Sequence, residues 1–311
     1  MPRDPLIENA TITARKDLAE GLALFRVRHD LPDFFQSFIP GQYAILGLNH
    51  EEKGPVQRAY SIASAPHILP DFEFYVRFVR EPTSDNPLTH LLFNAYPGSR
   101  IYMGPKLLGK FTLQHELAPQ DNRWRVCVAA GTGLAPFTSM VFEEKHYAGV
   151  ADRFIVLHGA RYPGDLGYKA EMEEALNLGF ENQRYFPTVS RPPEDPNSWP
   201  AEGFTGRVES LLAGESLARL EALSPLGPRG LNPTNSVVFI CGLTGTIGTS
   251  LLNLFQRGFI PAERRLRREL EIPNHVQPSV FFEQYDTEPI LDLANPELKE
   301  HCQQLLAPFL A

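Results

Sequence analysis

The sequence predicts two domains: a small antiparallel β-barrel, then an α/β domain built on a parallel sheet. Two observations carry this expectation. Up to about residue 115, apolar side chains recur at every second position between closely spaced Gly and Pro turns. From about residue 120, short apolar runs alternate with segments of helical spacing. The chain has 311 residues, enough for two domains of ordinary size. The expected boundaries are 1–117 for the barrel, 118–285 for the α/β domain and 286–311 for a C-terminal extension.

In the first half, Ala23, Phe25 and Val27 share one strand face, and residues 42–48 read as a second strand. In residues 72–78, the phenylalanines and Val76 point one way, while Glu73, Tyr75 and Arg77 point the other. Pro40-Gly41, Lys53-Gly54-Pro55, Pro97-Gly98 and Met103-Gly104-Pro105 separate such runs. Many short strands with little helix predict the barrel. Residues 115–123 are polar and carry a proline, as a linker would.

The second half opens with a strand over 125–129, a Gly loop, and a helical pattern through Phe137, Met140 and Val141. A strand over 154–158 precedes a helix over 170–178. A third strand over 237–241 precedes Leu251, Leu252, Leu254 and Phe255 at helical spacing, with Gly258 placed to cap that helix. Residues 279–285 form a late aromatic strand, and residues 296–309 a helix in the extension. No internal repeat is present. Strands alternating with helices predict a parallel sheet covered by helices.

Composition narrows the function. Hydrophobic residues make up 43% and charged residues 21%, as in globular proteins. A net charge of −8 argues against nucleic acid as the main partner. No apolar run approaches the ~20 residues that cross a bilayer, and the start lacks the apolar segment of a secretory signal. Cys127, Cys241 and Cys302 lie far apart, which excludes both an iron–sulfur cluster and a disulfide framework. No ligand spacing suggests a metal site. The expected compartment is the cytoplasm.

The stretch 58–66, RAYSIASAP, joins a cation, a phenol and two hydroxyls within one strand-like segment. The planar fork of Arg58 suits a phosphate, and Tyr60, two residues on, shares its face. A flat ligand carrying phosphate would satisfy both. In parallel sheets ligands sit beyond the carboxyl ends of the strands, where Gly131-Thr132-Gly133-Leu134-Ala135-Pro136 falls. Its glycines would let amides approach a pyrophosphate, although the third glycine of the usual dinucleotide fingerprint is missing and a bare tight turn is the alternative. Cys241-Gly242 marks a second such end, so the two would share a crevice. Cys127 reads as a buried small hydrophobe, and Cys241 as a residue at the crevice lip.

The order of these features is specific. Arg-x-Tyr-Ser on a barrel strand, Pro-Leu-Thr, Gly-Thr-Gly-Leu-Ala-Pro, Cys-Gly and a late aromatic strand together resemble the ferredoxin/flavodoxin–NADP⁺ reductase family, in its bacterial form, over about residues 10–285. The resemblance implies an FAD-binding barrel and an NADP(H)-binding α/β domain. Arg58 would pair with the FAD pyrophosphate, with Ala59 beside it; Tyr60 would lie on the isoalloxazine and Ser61 would bond near its reactive nitrogen. Phe74, Tyr75 and Val76 would form the next flavin-contacting strand, with barrel core as the alternative for Phe74. Leu88 and Thr89 match a second pyrophosphate clamp, or a helix cap for Thr89. Gly131, Thr132, Gly133, Pro136 and Gly242 would receive the dinucleotide. Arg161, Ser190, Arg191 and Arg207 stand where the family reads the 2′-phosphate, which favours NADPH over NADH. Ser61, Cys241 and Glu283 would shape the hydride-transfer junction, and Tyr285 would cover the flavin face.

The implied activity is electron transfer between NADPH and a one-electron carrier, ferredoxin or flavodoxin. The alternatives are the NAD(P)H-dependent reductase component of an oxygenase, and a non-catalytic flavin-binding subunit of a larger redox complex. The arginine-rich run 262–269 would steer an acidic carrier or else be a solvated face. The chain departs from the family by continuing past Tyr285. The apolar residues of 286–311 predict that the extension folds over the barrel domain or packs on a second subunit as a homodimer contact, restricting access to nicotinamide.

Overall fold

The computed structural model describes residues 4–31, 33–81, 86–149, 151, 153–195, 198–200, 203–227 and 230–310. The chain divides into two compact units, one of Met1–Ala118 with Ala135–Gly149, the other of Pro119–Leu134 with Val150–Ala311.

The first unit contains β1 (Ala10–Ala19), β2 (Leu22–His29), β3 (Tyr43–His50), β4 (Gly54–Ser61), β5 (Asp71–Arg77) and β6 (Arg100–Met103), with helices α1 (Leu88–Asn94), α2 (Leu113–Glu116) and α3 (Ala135–Ala148). The strand order is β4-β3-β6-β1-β2-β5, antiparallel throughout. The two outer strands meet just past the end of β4: Ile62 bridges Phe74, and the Ala63 amide donates to the Glu73 carbonyl at 2.8 Å. The sheet therefore closes, which removes its open edges. Inside lie Ile12, Phe25, Val27, Leu46, Ile62, Phe72, Phe74 and Val76, the alternate residues of their strands. Tyr75, expected on the outer face, is also buried. Gly41, at φ +99°, leaves only 2.0 Å between an added Cβ and the Phe111 carbonyl oxygen, so no side chain fits there.

Helix α3 docks on the segment after β4. Its Thr138 hydroxyl donates to the Ala63 carbonyl at 2.8 Å and its Ser139 hydroxyl to the Ser64 carbonyl at 2.7 Å. One turn further on, Glu143 accepts from His67 at 2.7 Å, and the His67 ring stacks on His146 with centroids 3.8 Å apart. These bonds hold the main chain that follows Tyr60 and Ser61.

The second unit contains β7 (Trp124–Ala130), β8 (Phe154–Ala160), β9 (Tyr185–Val189), β10 (Phe204–Thr205), β11 (Ser236–Gly242) and β12 (Val280–Gln284). Its helices are α4 (Lys169–Leu176), α5 (Gly214–Leu223), α6 (Thr244–Phe255), α7 (Arg264–Glu269) and α8 (Pro296–Leu306). The order is β10-β9-β8-β7-β11-β12, all parallel. Both faces are covered, so β11 is buried along its whole length and reads as a continuous apolar run. Val126, Val128, Ile155, Leu157, Val238 and Ile240 share one core with Leu217, Leu220, Leu251 and Leu254 of the helices. The order reverses at β7, whose neighbours are β8 and β11, and that reversal opens a crevice beyond their carboxyl ends.

The extension corrects an expectation. Its apolar side chains pack into the core of the second unit itself: Leu293, Cys302 and Leu306 are buried, with Ile290, Leu291, Leu298 and Leu305 packed beside them. The reason is the amphipathic face of α8, which meets α6 of the same unit and spends its apolar surface there. Among the described residues no helix is long and apolar enough to cross a membrane.

Candidate active site

On β4, Val56, Arg58 and Tyr60 share one face, with Tyr60 packed against the barrel core and Arg58 half-buried. The Tyr60 hydroxyl oxygen is buried and has no hydrogen-bond partner. Burial pushes its phenol well above the ordinary range, against the pull of the nearby Arg58 charge. A buried hydroxyl without a partner is costly, and such a group suits a flat ligand bearing acceptors. Ala59 is exposed on the opposite face, and Ser61 is buried at the strand end opposite Tyr43.

The neighbouring strand behaves differently. Phe74 is fully buried in the barrel core, and Tyr75 and Val76 are nearly so, so the side chain of Phe74 serves packing. In α1 the Leu88 amide takes the Asn86 side-chain oxygen at 3.0 Å, while the Asn86 amide donates to the Gln57 carbonyl. The Thr89 hydroxyl accepts from the Val79 amide at 3.2 Å. Thr89 therefore sits inside the helix and ties it to the segment after β5, and it is not the helix cap.

In the second unit, the turn after β7 places Gly131 at φ +55°, with open space where a side chain would be. Thr132 is half-buried beside it, and Pro136 is buried in the first turn of α3. Gly133 lies under the β11 end: an added Cβ would come within 2.2 Å of the Cys241 carbonyl oxygen. Only glycine lets the two strand ends approach so closely. Gly242 packs on Ala130 in the same seam.

Cys241 is fully buried, which corrects its expected place at the crevice lip. Its Sγ lies 3.9 Å from a Glu283 carboxylate oxygen. Burial and then the Glu283 charge push the thiol well up, outweighing a hydrogen bond from the Tyr285 side chain. Cys241 is therefore a neutral thiol at neutral pH. The strand ends at Gln284, and the Tyr285 amide continues the ladder by donating to Gly242 at 3.0 Å, while its side chain is 39% exposed. Burial on β8 also pushes His158 down to about 4, with the Gly131 main chain opposing the shift.

The predicted 2′-phosphate residues cluster at adjacent strand ends. The Ser190 and Arg191 amides donate to the Ala160 and Arg161 carbonyls, and the Gly206 amide donates to Val189. Arg161, Arg191 and Arg207 thus follow β8, β9 and β10 as neighbours, all exposed. Arg191 also bonds the Tyr162 hydroxyl at 2.9 Å, which orients its fork. In the basic run, by contrast, Arg267 donates to the Pro273 and Val276 carbonyls and Arg265 pairs with Glu269. Arg264 and Arg268 are exposed as well.

Comparison with known proteins agrees with this arrangement. Residues 127–249 match the family described as the oxidoreductase NAD-binding domain. The flavodoxin/ferredoxin–NADP reductase of Rhodobacter capsulatus is 30% identical over 250 residues, covering 78% of this chain and 83% of its own. The chain belongs to the flavodoxin/ferredoxin–NADP reductase family. Ferredoxin–NADP reductase A of Sorangium cellulosum is 29% identical over 71% of this chain and 74% of its own. The fold matches a crystal structure of a ferredoxin NADP⁺ reductase from Neisseria gonorrhoeae with bound FAD and NADP, at a TM-score of 0.68 and 21% identity. That match covers 89% of this chain and 97% of the other.

Sequence reasoning missed the residues that flank Tyr285. Gln284 and Asp286 both bond Thr244, which lies 42 positions away from Asp286. The one local sign was Leu243, a residue with no side-chain acceptor at the N-cap of α6.

Proposed function

We propose that this member of the reductase family binds FAD on its barrel, residues 1–117, and NADP(H) on its α/β domain, residues 118–285. On this reading it passes electrons between NADPH and a one-electron carrier, ferredoxin or flavodoxin. The observation that carries it is the group at the sheet reversal: the neutral Cys241 thiol, the Glu283 carboxylate beside it and the Tyr285 side chain, all at the end of the glycine seam.

The residues fit both groups. Tyr60 presents a buried, unpartnered hydroxyl and an aromatic face, and Arg58 on the same strand face supplies a cation for a pyrophosphate. Ser61 adds a hydroxyl beyond them, Ala59 contributes main chain between them, and Phe74, Tyr75 and Val76 support the strand beside them from the core. Leu88 and Thr89 hold α1 against that wall. Gly131 offers main chain with open space beside it and Thr132 a hydroxyl, Gly133 and Gly242 bring the two strand ends close, and Pro136 starts the helix that follows. Arg161, Arg191 and Arg207, with Ser190, form the cationic end that a 2′-phosphate requires. FAD, when bound, supplies the conversion between two-electron and one-electron chemistry. The protein supplies orientation: Glu283 is an acceptor able to hold an amide N–H, and Cys241 packs there without adding charge.

The test uses purified full-length protein. It should be yellow, bleach with NADPH under anaerobic conditions and reduce ferredoxin or flavodoxin, with NADH much poorer. Flavin that stays oxidised with NADPH would show a binding subunit instead. Rapid reduction by NADPH without transfer to either carrier would assign the chain to another acceptor.

A further inference from the structure

The chain immediately after the final strand is tied to the start of α6. The Asp286 carboxylate accepts from the Thr244 amide at 3.1 Å and from the Thr244 hydroxyl. Gln284 Nε2 lies 2.7 Å from the same carboxylate, 2.9 Å from Thr244 Oγ1 and 2.6 Å from the Glu288 carbonyl, its two N–H groups shared among the three acceptors. Tyr285 lies between these two residues, its own amide bonded to Gly242. Two positions past Glu288, the chain runs hard against the helix: a Cβ at Gly248 would come within 2.5 Å of the Ile290 carbonyl oxygen.

A helix start leaves amides without partners, and a carboxylate there is favoured by the helix dipole as well. Leu243, at the N-cap, cannot provide an acceptor, and Asp286 does so instead. Burial by itself would raise the carboxyl, but the bonds from Thr244 and Gln284 outweigh it and hold it below its ordinary range. The network therefore caps α6 and fixes the main chain on both sides of Tyr285 by one set of bonds.

We infer that Asp286 is a positioning residue: with Gln284 and Thr244 it clamps the backbone of Tyr285, so that nicotinamide is admitted by rotation of the Tyr285 ring, not by displacement of the chain. This rests on the proposed role of Tyr285 as the aromatic cover. A chain that ended at the aromatic residue could yield as a whole; this one cannot, because the residue after it is part of the α6 cap. The clamp sets how far the cover can open, and so the affinity for the nicotinamide end of NADP(H).

Hydrogen–deuterium exchange on the full-length holoenzyme tests the clamp without reference to turnover. In Asp286→Ala the amides of Thr244 and Tyr285 should exchange about fivefold faster, the change that loss of a helix cap produces. Asp286→Asn keeps an acceptor of the same shape and should stay near the parent rate. NADP⁺ binding, followed by the flavin difference spectrum, should tighten severalfold in Asp286→Ala, and Tyr285→Ser should tighten it too. Unchanged exchange in Asp286→Ala overturns the clamp. Faster exchange with unaltered NADP⁺ affinity, while Tyr285→Ser does tighten binding, overturns its part in admission and leaves a helix cap alone. If Tyr285→Ser changes nothing, the cover reading of Tyr285 fails, and any tightening confined to Asp286→Ala would overturn the rotation of that ring as the route.

Discussion

Acidification from pH 7 to pH 4 should remove a defined part of the stability of the parallel-sheet unit through His158 alone. The side chain is fully buried on β8, and its Nδ1 lies 2.8 Å from the Tyr185 hydroxyl. An imidazolium in that place would be a buried charge with no carboxylate bonded to it among the described residues. Burial accordingly depresses the group from 6.5 to about 4. The folded state thus resists a proton that the unfolded chain accepts below pH 6.5. This contribution is fully present above that pH and is lost as pH falls towards 4. A shift of this size corresponds to on the order of 3 kcal/mol over the whole window, at 1.36 kcal/mol per unit. Urea unfolding of full-length protein at pH 7, 6 and 5, compared with His158→Gln, measures it. The parent should lose stability faster with acid than the variant, and their difference should narrow by about 2 kcal/mol between pH 7 and pH 5. Parallel pH profiles for the two proteins would refute the reasoning, because they would mean that His158 takes its proton at the same pH folded and unfolded.

Arg58→Ala and Tyr60→Ala should each lower flavin content after gel filtration, since one removes the cation and the other the aromatic face; full flavin content in both would remove β4 from the site. Neutral replacement of Arg161, Arg191 and Arg207 should raise the Michaelis constant for NADPH while sparing NADH, with about 1.5–3 kcal/mol per charge-assisted contact before non-additivity. Equal effects on the two cofactors would exclude these arginines from 2′-phosphate recognition. Arg264→Glu with Arg268→Glu should slow reduction of an acidic ferredoxin and flatten its salt dependence, since both are exposed while Arg265 is paired with Glu269 and Arg267 is tied to main-chain carbonyls. An unaltered salt profile would leave the run as a solvated face.

Much of the candidate site was legible because its residues are neighbours in sequence. Arg58 and Tyr60 lie two residues apart on one strand, and strand periodicity alone puts them on one face. Gly131 and Gly133 announce a tight turn by composition, and the apolar runs at 154–158 and 237–241 can only be buried strands or helices. Less legible were the short pieces. Helix α1 carries only three buried residues in two turns, and β10 is two residues long, held by its neighbour β9 and not by its own pattern.

The sequence by itself determined the two rhythms, the strand faces and the order of motifs, since these follow from backbone geometry and side-chain type within a few residues. Only the tertiary structure decided which distant groups meet. It buried Phe74 and Cys241, whose local sequence allowed a ligand contact or a lip position as readily as a core one. It turned Arg267 from a docking candidate into a tie for the Pro273 and Val276 carbonyls. It also carried the extension back onto α6, where Asp286 meets Thr244 and α8 finds the apolar surface that its own face requires. Such pairings depend on which unsatisfied amide or apolar surface lies nearest after the chain has closed, and that is a property of the packed fold.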